Sequence, residues 1–226
     1  MTTISVAVVI PTLNEQEALR HHLPGLVRNA DEIIISDGGS TDSTVTTAEQ
    51  LGAKVVTGAS GRGPQMNRGA SAVESEVILF LHADTQLPEE GIEKIRQAAI
   101  RGMDGGGFLA VFDDRRPLLR LGSTLVNVRT RLSRLPLGDQ AQFVTRKAFQ
   151  ELDGFREWPI LEDLDFMRRL KRYGSIAVIR QPVTTSARRY VQNGIFKTIA
   201  TNWWIWVLYI LGVAPDKLAR LYREVR

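Results

Sequence analysis

Several acidic side chains and a histidine stand where short apolar runs of this sequence end. His82, Ala83 and Asp84 directly follow the apolar run 77–81. A buried strand of this kind delivers a carboxylate to the carboxyl edge of a sheet, where ligands bind. One carboxylate together with substrate phosphates is a common way to hold Mg²⁺, which keeps several waters. Asp84 is therefore a candidate metal ligand, and we favour that role over a helix cap.

Three further acids open a helical pattern later in the chain, at Glu162, Asp163 and Asp165. Successive residues on a helix diverge by about 100°, so Glu162 and Asp163 cannot enter one cleft in the same way. One of them can act as a general base toward a hydroxyl within hydrogen-bond reach, while the other anchors the loop. A favourable interaction with the helix dipole explains these acids equally well.

The first predicted strand, 4–10, is followed by PTLNE at residues 11–15, without a glycine. A dinucleotide-binding turn needs glycines so that the backbone can approach pyrophosphate, and a P-loop needs glycines and a lysine. Both are excluded here. A phosphate on the ligand must then be neutralised by another group, most simply a metal ion. Taken alone, Asn14 and Glu15 are typical of a helix N-terminus.

Two more loops carry groups that suit a nucleotide. Asp37 ends the apolar run 32–36 and precedes two glycines. An acid there can accept hydrogen bonds from a ribose or a base, although a capping turn explains it as well. The loop 58–69 contains four glycines and two arginines, Arg62 among them. Flexible backbone with arginine can bind phosphate, but a mobile solvated loop is the simpler alternative.

The composition is that of an ordinary globular protein. The 226 residues are 43% hydrophobic and 24% charged, enough for one full domain. The net charge of +4 suits an anionic ligand or membrane surface but is too small to indicate a nucleic-acid partner, and we expect none. The absence of cysteine excludes disulfides and thiolate chemistry. The first residues lack a basic signal-peptide region, so we expect a cytoplasmic protein, free or peripheral at the membrane face.

Apolar runs and helical patterns alternate along the first half. Strands are predicted at 4–10, 32–36, 54–57 and 77–81, and helices at 15–29, 43–51, 65–73 and 88–101. This alternation predicts an α/β fold with a mostly parallel sheet and helices on both faces. The second half is less regular, with strands predicted at 108–112, 142–145 and 176–179, and helices at 118–132, which is amphipathic and rich in arginine, and 162–173.

A tryptophan-rich helical pattern covers residues 195–213. Its apolar core is shorter than the ~20 residues that a membrane span needs. Aromatic side chains with flanking basic residues suit a membrane interface, and a core or dimer contact is about equally expected. We divide the chain into a catalytic region, 1–190, and a helical extension, 191–226, which belongs to the same domain or contacts a membrane or a second copy.

The ordered set of motifs resembles the family 2 glycosyltransferases, which have the GT-A fold. The segments that carry the resemblance are VIPTLNE at 9–15, EIIISDGGSTD at 32–42, NRG at 67–69, LFLHAD at 79–84, and GF, EDLD and RL within 154–174. Each is weak alone, but the order is specific. LHADT at 81–85 and GDQ at 138–140 are similar to short bacterial members labelled as arsenosugar-biosynthesis-like.

The resemblance implies an inverting, metal-dependent enzyme that moves a sugar from a nucleotide-diphosphate sugar to an acceptor hydroxyl. A UDP-sugar is favoured and a GDP-sugar is next, and the acceptor is open. The catalytic base would be Asp163, with Glu162 beside it, and Mg²⁺ or Mn²⁺ would bind Asp84. The implied nucleotide-sugar-binding residues are Pro11, Thr12, Asn14, Glu15, Asp37, Arg62, Asn67, His82, Ala83 and Asp84. The implied acceptor or sugar pocket is formed by Gly138, Asp139, Gln140 and Trp158.

Two positions depart from the family pattern. His82 replaces the first acid of the DxD metal motif, and Met66 stands where an arginine is usual, so Arg62 is expected to contact the diphosphate instead. The altered motif leaves open a catalytically silent binding or scaffold protein at a membrane. A nucleotidyltransferase is less favoured, because it needs a glycine-rich, basic loop after the first strand, unlike residues 11–15.

Overall fold

The computed structural model describes residues 3–225, apart from the side chains of residues 223–225. Within these residues one sheet has eight strands in the order β3-β2-β1-β4-β7-β6-β8-β5. The strands are β1 Val6–Thr12, β2 Glu32–Asp37, β3 Lys54–Thr57, β4 Val77–Phe80, β5 Thr85–Gln86, β6 Gly105–Phe112, β7 Gln142–Thr145 and β8 Ile176–Thr185.

Helices cover both faces of the sheet. They are α1 Gln16–Val27, α2 Thr44–Gln50, α3 Arg62–Ser71, α4 Gly91–Ile100, α5 Pro117–Ser133, α6 Arg146–Glu151, α7 Glu162–Tyr173, α8 Arg188–Asn193, α9 Ile195–Ile210 and α10 Pro215–Val225, with a 3₁₀ turn at Gly138–Gln140. Alternate residues of β1 point to opposite faces. Val8 joins the apolar cluster that includes Leu19 of α1, and Val9 joins the one that includes Met66 of α3. The predicted α/β architecture is confirmed.

The first four strands in the sheet order are parallel, as the alternating pattern predicts. β7 is antiparallel to both β4 and β6, whereas β8 is parallel to β6. β1 continues two residues past the predicted end, because Pro11 pairs with Ser36 and Thr12 with Asp37. This register brings the ends of β1 and β2 side by side.

Strand β8 is longer than the predicted 176–179. A register shift between Phe108 and Leu109 of β6 lets β8 continue through Pro182 to Thr185. Helix α3 begins at Arg62, three residues before the predicted start, so Arg62 lies on the first turn of a helix rather than in a mobile loop. The longer β8 and the earlier start of α3 both extend regular secondary structure toward the residues that are expected to bind the donor.

The C-terminal helices pack against the rest of the chain. Ile205 of α9 and Leu218 of α10 are buried, and the Trp158 ring meets Tyr209 of α9 edge-on. The predicted boundary at residue 190 falls inside α8. We infer that the extension belongs to the same domain; its predicted end at residue 226, like the predicted start at residue 1, lies outside the described residues. No helix among residues 3–225 is long and apolar enough to cross a membrane.

Glycines at the start of β6 occupy positions where no side chain fits. A Cβ at Gly106 would lie 2.1 Å from the carbonyl oxygen of Ala177, and one at Gly105 would lie 2.5 Å from that of Phe143. The backbones of β8 and β7 therefore approach β6 closely. The strand begins at residue 105, three residues before the predicted start, and these glycines lie within it.

Replacing Gly106 by alanine should lower the free energy of unfolding by about 1–3 kcal/mol, because the added methyl group forces β6 and β8 apart. Gly25→Ala is the matched control. No neighbouring group in the described chain lies within 4 Å of a Cβ at Gly25, and alanine in a helix is more stable than glycine by about 0.5–1 kcal/mol. Urea unfolding of both variants measures the difference, and equal effects would contradict the close approach of the strands.

Candidate functional site

The carboxyl ends of β1, β2 and β4 meet at one edge of the sheet, because these strands are parallel neighbours. Thr12 ends β1 and Asp37 ends β2, and the Thr12 hydroxyl donates a hydrogen bond to Asp37 Oδ1 at 3.3 Å. His82 and Asp84 follow the end of β4. Five residue positions that the sequence singles out at the start of the chain, 11, 12, 14, 15 and 37, therefore lie along this edge.

Asp37 is buried and anchors the turn that follows it. Its carboxylate accepts hydrogen bonds from the backbone N–H groups of Gly39 and Ser40, both at 2.8 Å, and from the Ser40 hydroxyl. Burial alone would raise the pKa of Asp37, but these bonds and the one from Thr12 outweigh it and hold the pKa below its usual value. Asp37 is thus an ionised carboxylate whose position is fixed before any ligand binds.

Asn14 joins the loops after β1 and β2. Its backbone has a φ of 55°, and its side-chain oxygen accepts a 2.8 Å hydrogen bond from the N–H of Thr41. Within residues 3–225, the carboxylate of the neighbouring Glu15 accepts no such hydrogen bond. Burial raises the pKa of Glu15, and the charge of Asp84 raises it further, against the opposing effect of Arg188. The carboxylates of Glu15 and Asp84 are therefore near enough to repel each other.

Two residues on α3, Gln65 and Arg68, were not predicted as site residues but hold this edge together. The buried Gln65 donates hydrogen bonds of 2.8 Å to the carbonyl oxygens of Thr12 and Ser36 and accepts one from Gly61. Arg68 donates to the carbonyl oxygen of Asp37 at 2.8 Å. Spacing within a helix does not distinguish such a glutamine from a solvent-facing one, so the sequence offers no signal for it.

A second group of acids approaches the same edge from α7 and the 3₁₀ turn. Arg62 Nε lies 3.5 Å from Glu162 Oε1, and the side chains are 47% and 2% exposed. The charges of Glu162, Asp163, Asp139 and Asp84 all act on the Arg62 guanidinium. Glu162 thus forms an ion pair with Arg62, and the other three acids lie near enough for their charges to act on it.

Glu162 has an unusual protonation state. Burial raises its pKa to about 7, the charge of Asp163 adds to the rise, and Arg62 opposes it. Its Oε1 makes no hydrogen bond with any described group, since the contact with Arg62 is an ion pair rather than an aligned hydrogen bond. Near neutral pH this side chain can therefore hold or release a proton.

Asp163 is fixed by backbone donors. Its Oδ2 accepts a hydrogen bond from the Gly138 N–H and its Oδ1 accepts one from the Leu164 N–H, both at 2.7 Å. A Cβ at Gly138 would lie 3.1 Å from Asp163 Oδ2 and 3.2 Å from His82 Nε2. Only glycine fits there without displacing a side chain. The turn at residue 138 thus brings the predicted base close to the histidine after β4.

His82 is uncharged at neutral pH. Burial is the main cause of a pKa lowered to about 4, and the positive charges of Arg62 and Arg189 act in the same direction, against Asp163. Its buried Nε2 makes no hydrogen bond within the described part of the chain. A neutral imidazole therefore stands where the family motif has an acid. Ala83, between His82 and Asp84, is buried and contributes no polar side-chain atom.

The side-chain amides of two predicted site residues, Asn67 and Gln140, make hydrogen bonds within the protein. The amide of Asn67 donates to the carbonyl oxygen of Phe155 and accepts from its N–H, both at 2.8 Å. The fully buried Gln140 accepts from Arg129, Thr130 and the N–H of Leu137, and donates to the carbonyl oxygen of Phe108. The amides of Asn67 and Gln140 are thus engaged within the protein, and their predicted roles toward the donor and in the acceptor pocket stay predictions.

Asp139 and Trp158, both predicted for the acceptor or sugar pocket, have different surroundings. Asp139 Oδ1 is buried and has no hydrogen-bond partner among the described groups, and burial raises the pKa of this carboxyl against the charge of Arg129. The guanidinium of Arg156 lies 5.2 Å from the centre of the Trp158 ring, whose other neighbour is Tyr209 of α9. The Trp158 ring thus packs between Arg156 of its own loop and Tyr209 of the C-terminal helix α9.

The donor set suits a hard divalent cation bound through one protein carboxylate. In the described part of the chain, no three His, Cys, Asp or Glu side chains are grouped so that they could hold a metal ion alone. Asp84 is half-buried and acts electrostatically on Arg62, Glu15 and His22. A single oxygen ligand next to a phosphate-binding position fits Mg²⁺ or Mn²⁺, which take their other ligands from water and substrate phosphates.

With the fold and the site described, the family can be assigned. The sequence profile of Glycosyl transferase family 2 matches residues 7–150. This match covers more than half of the chain, and the chain therefore belongs to glycosyl transferase family 2. The family that the motif order suggests is thereby confirmed.

Curated relatives agree with the assignment. Glucosyl-3-phosphoglycerate synthase of Mycolicibacterium smegmatis is 31% identical over 147 residues, which cover 58% of this chain and 47% of that protein. An uncharacterized glycosyltransferase of Mycobacterium bovis is 29% identical over 147 residues, covering 61% of this chain and 65% of the relative. The chain thus aligns with about half to two thirds of the length of these relatives.

Solved structures share the fold. Staphylococcus aureus TarS, residues 1–349, in complex with UDP-GlcNAc has a TM-score of 0.65 and 18% identity, covering 81% of this chain and 58% of that one. Glucosyl-3-phosphoglycerate synthase from Mycobacterium tuberculosis, in complex with Mn²⁺, UDP-glucose and phosphoglyceric acid, has a TM-score of 0.62 and 20% identity, covering 79% and 70%. The predicted GT-A fold is confirmed by these likenesses.

The raised pKa of Glu162 predicts that stability depends on pH. The folded chain keeps a proton on Glu162 up to about pH 7, whereas the unfolded chain releases it near the usual 4.5. Stability contributed by this group is therefore fully present below pH 4.5 and is lost as the pH rises toward 7. Glu162→Gln, which stays neutral, should be more stable than the wild type at pH 8, by on the order of 1–3 kcal/mol.

Chemical unfolding at pH 4.5 and pH 8 measures this difference. Glu157→Gln, which removes an exposed acid from the neighbouring loop, serves as the control and should change stability little at either pH. A Glu162→Gln variant with the same pH dependence as the wild type would show that folding does not change the pKa of Glu162, and would contradict the prediction.

Proposed function

We propose that this chain transfers a sugar from a nucleotide-diphosphate sugar to an acceptor hydroxyl. The observation that carries the proposal is the grouping of Asp84, Asp139, Glu162 and Asp163 around Arg62, at the edge of the sheet where α/β proteins bind ligands. The grouping combines acids for proton transfer with charges suited to a diphosphate. Membership of glycosyl transferase family 2 supports the same activity.

A UDP-sugar is the donor that we favour, followed by a GDP-sugar. Two proteins of the same fold are described in complex with UDP-GlcNAc and with UDP-glucose. In this chain Pro11, Thr12 and Asp37 would line the nucleoside end of the site, with Asn14 and Glu15 in the adjoining loop. The pre-ordered carboxylate of Asp37 offers an acceptor for a base or ribose donor.

We propose that Asp84 holds a divalent cation, Mg²⁺ or Mn²⁺. Such a cation, when bound, neutralises the charge of a leaving diphosphate. Arg62 would add a second positive charge there, because its guanidinium is half exposed and can turn toward a ligand. The neutral imidazole of His82 repels neither the metal ion nor Arg62. Its lack of charge partly offsets the loss of the acid that usually stands at this position of the motif.

Asp163 is the proposed general base. It would take the proton of the acceptor hydroxyl, whose oxygen attacks the anomeric carbon while the diphosphate leaves from the opposite face, so that the configuration inverts. The N–H groups of Gly138 and Leu164 keep the carboxylate oriented. Glu162 is the second candidate, since a pKa near 7 is well matched to proton transfer at neutral pH.

The acceptor would enter beside Gly138, Asp139 and Trp158. The aromatic face of Trp158 suits the apolar side of a sugar or a hydrocarbon group, and Asp139 suits a hydroxyl. The acceptor itself stays open, as does membership of the arsenosugar-biosynthesis-like group, a prediction that depends on LHADT at 81–85 and GDQ at 138–140.

Asp84→Asn and Asp163→Asn should separate donor binding from transfer. Asp84→Asn should abolish the part of UDP-sugar binding that depends on metal, as measured by titration calorimetry with Mn²⁺ and then with chelator. Asp163→Asn should bind the donor normally and lower the slow hydrolysis of the donor by at least about 10²-fold, because the proton acceptor is lost. Glu162→Gln should lower it by about tenfold or less.

Glu89→Gln, which removes an exposed charge after β5, is the control and should behave as the wild type. If Glu162→Gln is the variant that loses hydrolysis while Asp163→Asn retains it, the base is Glu162. If neither acid matters and no donor binds, the chain is a silent binding or scaffold protein, and the proposed activity is wrong.

A further inference from the structure

Helix α5 carries an apolar stripe on its outer face. The members recur at spacings of three and four residues, which place them on one side of a helix. Such a stripe normally faces the core, yet these side chains are 38% to 81% exposed. The α5 stripe consists of Leu118, Leu121, Leu125, Val128 and Leu132. In the part of the chain that the structure describes, nothing buries it.

Helix α9 presents a second apolar stripe. Phe196 is 75% exposed, Trp204 is 61% exposed and Leu211, directly after the helix, is 73% exposed. Val207 and Ile210 complete the α9 stripe. The opposite side of the helix is the packed one, since Thr198 and Ile205 are buried. The predicted tryptophan-rich helix therefore uses only part of its apolar surface for packing within the chain.

The two stripes adjoin one helix–helix contact. A Cβ at Gly122 of α5 would lie 3.3 Å from the side chain of Ile199 on α9. Gly122 is one turn from both Leu118 and Leu125, and Ile199 is one turn from Phe196. The α5 and α9 stripes thus flank the same seam, and together they are named the apolar platform.

The charges around the platform are mostly positive. No Asp or Glu occurs between positions 115 and 138 or between positions 166 and 215. Exposed basic residues border both stripes, namely Arg115, Arg116, Arg120, Arg131, Arg134 and Lys197. Arg116 is partly balanced by Asp114, 3.5 Å away. An apolar surface with a cationic rim is complementary to a bilayer that contains anionic lipids.

We propose that the apolar platform docks this protein on an anionic lipid surface, with α5 and α9 lying in the plane of the membrane. A second copy fits less well, because its platform would bring the two cationic rims together. The sequence indicates a membrane contact for residues 195–213 alone, as one of several alternatives; α5 adds the larger stripe and most of the basic rim. The inference does not depend on the proposed enzymatic function.

Docking through this surface would bring the site close to the lipid headgroups. Tyr209, on the packed side of α9, contacts the Trp158 ring and lies beneath the Arg168 guanidinium. The loop that carries Trp158 precedes α7 and its acids. The side of the site formed by Trp158 therefore faces the helix that would lie on the membrane.

Co-sedimentation with vesicles tests the proposal. The full chain should bind vesicles of phosphatidylcholine with 30 mol% phosphatidylglycerol (about a third of the lipid, as a typical anionic surface) much more strongly than vesicles of phosphatidylcholine alone. Leu121→Gln/Leu125→Gln should weaken binding by at least about tenfold, since two apolar side chains stay in water. Arg120→Gln/Arg131→Gln should weaken binding by about tenfold and only on the anionic vesicles.

Ile100→Gln/Arg101→Gln at the end of α4 is the matched control, because Ile100 is 67% exposed on a different helix and Arg101 directly follows it; it should bind as the wild type. Circular dichroism checks that each variant is folded. Absence of binding to anionic vesicles would overturn the proposal, and so would binding that neither platform variant weakens. A dimer in light scattering that the leucine variant dissociates, without vesicle binding, would assign the platform to a second copy and overturn it as well.

Discussion

The guanidinium of Arg62 is the central positive charge of the site, and Arg129 adds a second one that acts on Asp139 and Asp163. Four carboxylates, those of Asp84, Asp139, Glu162 and Asp163, act on Arg62 from three separate parts of the chain. So many acids in a partly buried space repel one another unless a cation or a proton relieves them. Arg62 supplies part of that relief, while burial first and the charge of Asp163 second still raise the pKa of Glu162.

Other features of the site follow from the same constraint. A histidine replaces the first acid of the motif after β4, and at a pKa of about 4 it adds no charge of either sign. Another acid there would have increased the repulsion. Asp163 is stabilised by two backbone N–H groups in addition to the charges of Arg62 and Arg129. The acidic groups of the site can therefore accept a further positive charge beside Asp84. We propose that the metal ion of a metal–diphosphate complex supplies it there.

The sequence predicts the parts of the fold that local patterns determine. The parallel strands β1 to β4, the helices between them and the family all follow from apolar runs and motif order. The antiparallel β7 and the length of β8 depend on register with distant strands, which no local pattern records. The same distinction holds for side chains: a motif can be recognised locally, but the contacts of its residues depend on distant parts of the chain. Asn67 carries a family motif, yet its amide binds the Phe155 backbone 88 positions away.

Some roles in the site could not have been read from residue types. Gln65 ties β1 to β2 through two carbonyl oxygens, a role that depends on how α3 crosses the strand ends. Likewise Arg169 binds Asp165 on its own helix and the carbonyl oxygens of Leu152 and Gly154 in the preceding loop. The exposure of the α5 stripe is also invisible in the sequence, because an amphipathic helix is normally expected to bury its apolar face.

The central claim is that the edge formed by β1, β2 and β4 binds a metal–nucleotide complex around Asp84 and Arg62. A crystal structure of the protein with UDP and Mn²⁺, with data collected at the manganese absorption edge, tests it most directly. The expected result is an anomalous peak at the Asp84 carboxylate, with the diphosphate between that peak and Arg62 and the uracil beside Asp37. A manganese peak or a nucleotide bound elsewhere, with this edge empty, would contradict it.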